Sequence, residues 1–204
     1  TTIHFVRHGA VHNPQELFYG RLPHFGLSAK GLQQVDALLP FFAGRRIDAV
    51  CSSPLLRARQ TASHIARACG IGRVSTSALL TEVRTPYDGW PLSRLGERHW
   101  DLYSGNPPPN EQPADVLLRV RRFVDKVLRH HAGEQVVAVS HGDPIVFLSL
   151  WANGYEASLH SKNLVEQGSL LPVRFPANAS AATFTWPPGS DRPQFSYHNP
   201  GDRA

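Results

Sequence analysis

Three apolar runs in this chain each stop at a polar step before a helical pattern resumes, and that repeat constrains the fold more than any other feature. Ile3 to Val6 ends at Arg7-His8-Gly9, Ile47 to Cys51 at Ser52-Ser53-Pro54, and Val136 to Val139 at Ser140-His141-Gly142. Short Val- and Ile-rich runs bounded by turn residues read as strands. After the first, Asn13-Pro14 marks a turn, Ser28 stands as an N-cap, and Leu32, Val35, Leu38, Leu39 and Phe42 recur at helical spacing up to Gly44. After the second, Leu55, Ala58, Ala62, Ile65, Ala66 and Cys69 share one helical face, closed by Gly70. Ala114 to His131 carries the strongest amphipathic pattern, with Val116, Leu117, Val120, Phe123, Val124, Val127 and Leu128 on one side and Gly133 beyond its end. A further helix is expected from about Asp143 to Ala152.

Alternation of this kind predicts an α/β sandwich around a largely parallel sheet. The fully apolar run Val136 to Val139 suits a buried central strand. Leu170 to Phe175, Thr183 to Trp186 and Phe195 to His198 are expected as further short strands, and Asn199 to Ala204 as a polar tail. Residues 84–113 are rich in Pro, Gly and charge and read as an irregular excursion over one end of the core. With no internal repeat and no linker, residues 1–204 are expected to form one domain.

Composition narrows the function classes. Of the 204 residues 41% are hydrophobic and 18% charged, which excludes disordered and fibrous classes. The longest apolar stretches, Ala37 to Ala43 and Ile145 to Ala152, fall short of the roughly 18 residues of a membrane span. No stretch at the start combines a basic beginning, an apolar middle and a small-residue cleavage site. With Cys51 and Cys69 as the only cysteines, no disulfide framework is expected, and the cytoplasm is the expected compartment. The net charge of +5 favours anionic partners, and nearly all the cations are arginines, since Lys30, Lys126 and Lys162 are the only lysines. Arginine suits bidentate gripping of phosphate or carboxylate.

Absent motifs narrow it further. The chain has no G-x-x-x-x-G-K-S/T phosphate loop, no G-x-S-x-G nucleophile elbow and no H-E-x-x-H. His8 and His12 are four apart, but Gly9 and the Asn13-Pro14 turn argue against a helix that would align them for zinc.

What remains is a pair of strands that each end in His-Gly. Ligands of open α/β sheets bind at the carboxyl ends of strands, so His8 and His141 are expected in one crevice. Arg57, in the first turn of the helix after Ser52-Ser53-Pro54, would join backbone N–H groups there to hold a tetrahedral anion. Such a set fits phosphoryl transfer through a phosphohistidine. A neutral imidazole nitrogen attacks phosphorus, cationic donors hold the equatorial oxygens, and a carboxylic acid protonates the leaving alkoxide.

These residues resemble the histidine phosphatase superfamily, also called the phosphoglycerate mutase-like family, from Ile3 to about His198. Arg7-His8-Gly9 resembles its signature, followed by Asn13, Gly20-Arg21, Leu27-Ser28, Gly31 and Gln34. Ser52-Ser53-Pro54-Leu55 through Arg57, Gln60, Thr61 and Ala62 is similar to a second motif. Leu80-Thr81-Glu82 with Gly89-Trp90, and then Ser140-His141-Gly142, resemble a third and a fourth. The resemblance implies a three-layer sandwich in which His8 is the nucleophile and Glu82 the acid and base. It implies that His141 helps to hold the phosphoryl group, with Arg7, Arg57, Asn13 and Arg21 as phosphate-binding residues. No metal and no cofactor are implied. The implied partner is a small-molecule phosphate ester, with no nucleic acid and no membrane involved. The sequence leaves the oligomeric state open, a homodimer among the choices.

Three positions depart from the family pattern. Ala10 and Val11 stand where an acidic residue and then Ser or Thr are frequent, and Asp143 stands where a small residue is common. The expected activity is a metal-independent phosphomonoesterase, with Tyr87, Trp90, Trp100 and Tyr103 of the excursion shaping the leaving-group pocket. One alternative is a phosphoglycerate mutase, for which Arg94 and Arg98 are the nearest candidates to bind a carboxylate. Another is a non-catalytic nucleic-acid or phosphoprotein binding module. Asn13 has a plainer reading as the cap of its turn, Arg21 as a solvated side chain, and Arg121, Arg122 and Arg129 as the wet face of their helix.

Overall fold

The computed structural model describes residues 1–171 and 175–203. Six strands make one sheet: β1 (Thr2–Arg7), β2 (Ala49–Ser52), β3 (Val74–Thr76), β4 (Gln135–Ser140), β5 (Ala181–Thr185) and β6 (Gln194–His198). Their order across the sheet is β3-β2-β4-β1-β5-β6. The β3–β2, β2–β4 and β4–β1 pairs are parallel, while β5 and β6 join antiparallel on the far side of β1.

Both faces of the sheet are covered, which is why its central strands are apolar on both sides. Side chains alternate along a strand. Ile3 and Phe5 of β1 therefore pack on one face with α4 (Pro113–His130) and α5 (Gly142–Ala152). Val6 packs on the other with α1 (Ala29–Phe42) and α2 (Leu56–Ala68). Residues 142–150 of α5 are all buried, as expected of a helix without a polar face. Ser28 caps α1 by accepting the Gly31 N–H, and Gln112 with Asp115 makes a reciprocal capping box on α4. Among the described residues no helix is long and apolar enough to cross a membrane.

Four elements lie outside the periodic pattern. Strand β3 is three residues long, too short to show alternation. A 3-10 turn (Ala78–Leu80), α3 (Leu92–Glu97) and α6 (Leu159–Glu166) complete the order. Of the strand expected over Leu170 to Phe175, residues 172–174 lie outside the described residues, and Leu170, Leu171 and Phe175 are not in a strand. The expected polar tail turns as a 3-10 helix, Pro200–Arg203, and Ala204 lies outside the described residues.

One buried polar group stands apart from the core. His4 faces the α1 side, edge-on to Phe41 and Phe42. Its Nε2 meets the Gln135 side-chain carbonyl at 3.2 Å and its Nδ1 the Thr183 hydroxyl at 2.9 Å. Burial drives its pKa down to about 4, against the opposing hydrogen bond that the Gln135 carbonyl oxygen accepts from it. The unfolded chain thus binds a proton that the folded state refuses, and stability falls as pH drops below about 6.5, levelling off near 4. A His4→Gln variant is expected to lose less stability than the wild type between those pH values, by on the order of 3 kcal/mol at most. Urea unfolding across that range measures the difference, and parallel curves for the two proteins would contradict it.

Candidate active site

The parallel pairing of β1 with β4 sets Arg7 opposite Ser140, so the next residues, His8 and His141, emerge side by side. The His8 N–H donates to the Ser140 carbonyl at 3.2 Å, and the two imidazole centroids are 5.1 Å apart. Beyond His8 the chain passes very close to the start of α1. A Cβ on Gly9 would lie 2.5 Å from the Gly31 carbonyl oxygen, and one on Gly31 would lie 2.0 Å from that of Ala10. Both positions therefore need glycine. The Gly9 N–H donates to the Thr61 hydroxyl of α2, which ties the turn to the next helix.

His8 is buried, and its hydrogen bonds fix its tautomer. Its Nδ1 lies 2.8 Å from the Gly9 carbonyl oxygen, an acceptor, so Nδ1 carries the proton. That leaves a lone pair on Nε2, to which Arg57 Nε donates at 3.1 Å. Burial, then the charges of Arg57 and Arg7, hold the His8 pKa well below its usual value, so the ring is neutral near pH 7.

Arg57 comes from the first turn of α2 and is fully buried. Its Nη2 donates to the Gly20 carbonyl at 2.6 Å and approaches His141 Nδ1 at 3.3 Å, while its guanidinium lies 4.7 Å over the Tyr19 ring. Since arginine only donates, His141 Nδ1 accepts and its Nε2 donates to Ser53 Oγ at 2.8 Å. Burial and then Arg57 keep His141 neutral as well. Arg7 donates from Nη1 to the Pro176 carbonyl at 2.6 Å and stacks on Phe175, 5.2 Å from the ring centroid. Two buried donors beside His8, Arg57 Nη1 and Arg7 Nε, have no partner among the described residues. Cationic donors without acceptors next to an imidazole lone pair are the features of an anion site.

Glu82 follows the 3-10 turn. Its Oε1 accepts the Val83 N–H at 2.9 Å and its Oε2 is 4.0 Å from His141 Nδ1. Burial first, then the neighbouring Asp143 charge, raise its pKa to about 7, against the Val83 hydrogen bond and the arginines. A carboxyl poised there can both give and take a proton.

Arg7, His8 and Glu82 line a cavity of about 460 Å³; Arg57 and His141 do not line it, and Arg57 touches both His8 and His141. Asn13 and Arg21 do not line it. The Asn13 side chain accepts the Leu17 N–H and donates to the Leu17 carbonyl, closing the turn before the cavity residues Leu17 to Gly20. Arg21 donates to the Glu82 carbonyl at 2.7 Å and pairs with Glu111 at 2.9 Å. Arg119 reaches the same carbonyl and also pairs with Glu111. Arg21 thus grips the loop that carries Glu82, and the guanidinium fork that suited a phosphate serves a backbone oxygen and a carboxylate.

The excursion contributes less of the wall than its aromatic content suggests. Leu92, Trp100 and Leu102 line the cavity, whereas Tyr87 and Trp90 pack on each other and Tyr103 is buried with its hydroxyl donating to Asp143. Arg94 and Arg98 stack on Trp90 and Tyr87 away from the cavity. Phe18, Tyr19, Asp143, Lys162, Glu166 and Phe175 also line it. No sequence motif announces these residues. Among the described residues no three His, Cys, Asp or Glu side chains converge as a metal site requires.

The family model for the histidine phosphatase superfamily, branch 1, matches residues 3–183. The uncharacterized protein Rv0525 of Mycobacterium tuberculosis is 38% identical over 164 residues, 76% of this chain and 79% of its own. Phosphoserine phosphatase 1 of Hydrogenobacter thermophilus is 28% identical over 149 residues, 69% of this chain and 70% of its own. The mycobacterial glucosyl-3-phosphoglycerate phosphatase Rv2419c shares the fold, with a TM-score of 0.78 at 22% identity over 97% of this chain and 98% of its own.

The orphan donors beside His8 predict an oxyanion site. Inorganic phosphate is expected to bind, and Arg7→Gln to weaken it by roughly tenfold or more, the loss of a charge-assisted hydrogen bond. Titration calorimetry reads both; equal affinity in the variant would contradict the site.

Proposed function

Because the chain belongs to the histidine phosphatase superfamily, we propose that it hydrolyses a small phosphate monoester through a phosphohistidine on His8. One observation carries this reading: the Gly9 carbonyl pins the His8 proton on Nδ1, so the Nε2 lone pair faces Arg57, and the charges of Arg57 and Arg7 both act on the ring. Relatives whose names describe them as phosphatases support hydrolysis.

In the first half-reaction the His8 Nε2 lone pair attacks phosphorus and the ester P–O bond breaks. Arg57 turns from the imidazole to the equatorial phosphoryl oxygens, joined by Arg7, and their charge offsets the charge carried there. His141, fixed by Ser53, accepts from Arg57 and so positions that guanidinium. Protonated Glu82 gives its proton to the departing alkoxide. In the second half-reaction Glu82, now a carboxylate, takes a proton from water as its oxygen attacks phosphorus. The P–N bond breaks, inorganic phosphate leaves and His8 Nε2 regains its lone pair. Two guanidiniums supply the positive charge this step needs, so no divalent cation is called for. For a mutase the paired arginines of the excursion would face the substrate; Arg94 and Arg98 are instead stacked on aromatic rings outside the cavity, which favours transfer to water.

The proposal is tested by hydrolysis of phenyl phosphate in EDTA. Activity is expected to survive the chelator and to vanish in His8→Ala; a fully active variant overturns the assignment. The pH profile follows from protonation states. Burial and the two arginines hold the His8 pKa well below its usual value, so the ring is neutral near pH 7, and Glu82 must be protonated, so kcat/KM is expected to fall as pH rises through about 7. Glu82→Gln is expected to lower kcat/KM for an alkyl phosphate by roughly 100-fold or more, and for p-nitrophenyl phosphate, whose leaving group needs no proton, by far less. Equal losses on the two esters would remove Glu82 from the acid role.

A further inference from the structure

The cavity wall also holds a charged cluster that takes no direct part in the transfer of the phosphoryl group. Lys162 of α6 is buried, yet it lines the cavity. Its Nζ donates to Glu166 Oε1 at 2.7 Å and lies 5.5 Å from the Phe175 ring centroid. Among the described residues Glu166 is its one hydrogen-bond partner, although an ammonium has three donors. Asp143, at the start of α5, takes the Tyr103 hydroxyl and lines the same wall. Burial works against the Lys162 charge, but Asp143 and the Glu166 hydrogen bond outweigh it, and the amine stays an ammonium. Burial and Asp143 likewise keep the proton on Tyr103, so its hydroxyl remains a donor.

Trp100 lines the same cavity and is 43% exposed. It and His99 both hold left-handed backbone, with φ of 56° and 52°. Two consecutive non-glycine residues in that region are costly, and such strain persists where the surrounding structure fixes a side chain in place.

We propose that Lys162, Glu166 and Asp143 recognise the hydroxyl groups of an uncharged, polyhydroxylated leaving group, such as a polyol or a sugar, with Trp100 packing on its C–H face. This inference rests on the phosphatase reading above. Hydroxyls both donate and accept, as does a wall holding one ammonium and two carboxylates. A purely apolar leaving group would strip water from Lys162 and Asp143 without replacing it, which is unfavourable. A second anionic group would meet two carboxylates, and a cationic one would meet both Lys162 and Arg7, which line the same cavity.

The test compares esters with the same phosphate and different leaving groups. For the wild type, kcat/KM for glycerol phosphate and for a hexose phosphate is expected to exceed that for 3-phosphoglycerate and for phosphoethanolamine by roughly tenfold or more. Lys162→Gln and Glu166→Gln are each expected to lower the ratio of hexose phosphate to phenyl phosphate by roughly tenfold. The Glu166 side chain is 35% exposed, so its variant keeps the test open if the buried lysine proves necessary for folding. A preference for 3-phosphoglycerate or phosphoethanolamine overturns the inference, as does an equal loss on every ester in both variants. If phenyl phosphate is hydrolysed in a His8-dependent way while the neutral esters are not preferred, only this inference fails. If no His8-dependent hydrolysis is found, the phosphatase reading fails and takes this one with it.

Discussion

The pairing of β1 with β4 is the constraint on which the site depends. Parallel neighbours in register end at the same level, and here both stop at a histidine followed by glycine. A one-residue slip would turn every side chain to the opposite face and separate the two imidazoles. The register is held because both faces of these strands are buried, so Ile3 and Phe5 cannot exchange sides with Val6 without losing their packing. The core thus sets the site's geometry through ordinary apolar burial. Glycine is needed where the chain leaves β1, since only Gly9 and Gly31 let the turn and the helix start touch.

Electrostatics then divide the labour. A fully buried guanidinium lies between two neutral histidines, and each of those histidines is neutral chiefly because it is buried. Glu82 is pushed the other way by the same burial. One dry environment therefore yields an uncharged base and a protonated acid near neutral pH, which is the pairing that attack on a phosphate ester requires. Arg21, Arg119 and Glu111 hold the Glu82 backbone in position, so that carboxyl is supported by a network of its own.

Much of this was legible in the sequence because the chemistry lies at strand ends, where residue type and position can be read together. His8, His141 and Arg57 each sit at, or one turn beyond, a polar stop after an apolar run. Glu82 was legible only through its motif, since the short 3-10 turn before it has no periodicity. Arg21 and Asn13 show the opposite limit. A guanidinium or an amide suits a phosphate and a backbone carbonyl equally, and only the fold decides which it meets. Lys162 and Glu166 come from a helix with little apolar pattern, and they reach the cavity through a packing of α6 that no local signal encodes. Strand β3 escaped for the same reason of length.

The central claim is that His8 carries the phosphoryl group between the two half-reactions. Rapid acid-free quenching during turnover, followed by mass spectrometry of the peptide containing His8, tests it most directly. The account predicts an acid-labile, alkali-stable phosphoryl adduct on His8 that appears within the first turnover and is absent from His8→Ala. Turnover with no adduct on His8, or an adduct on another residue that persists in the variant, would contradict it.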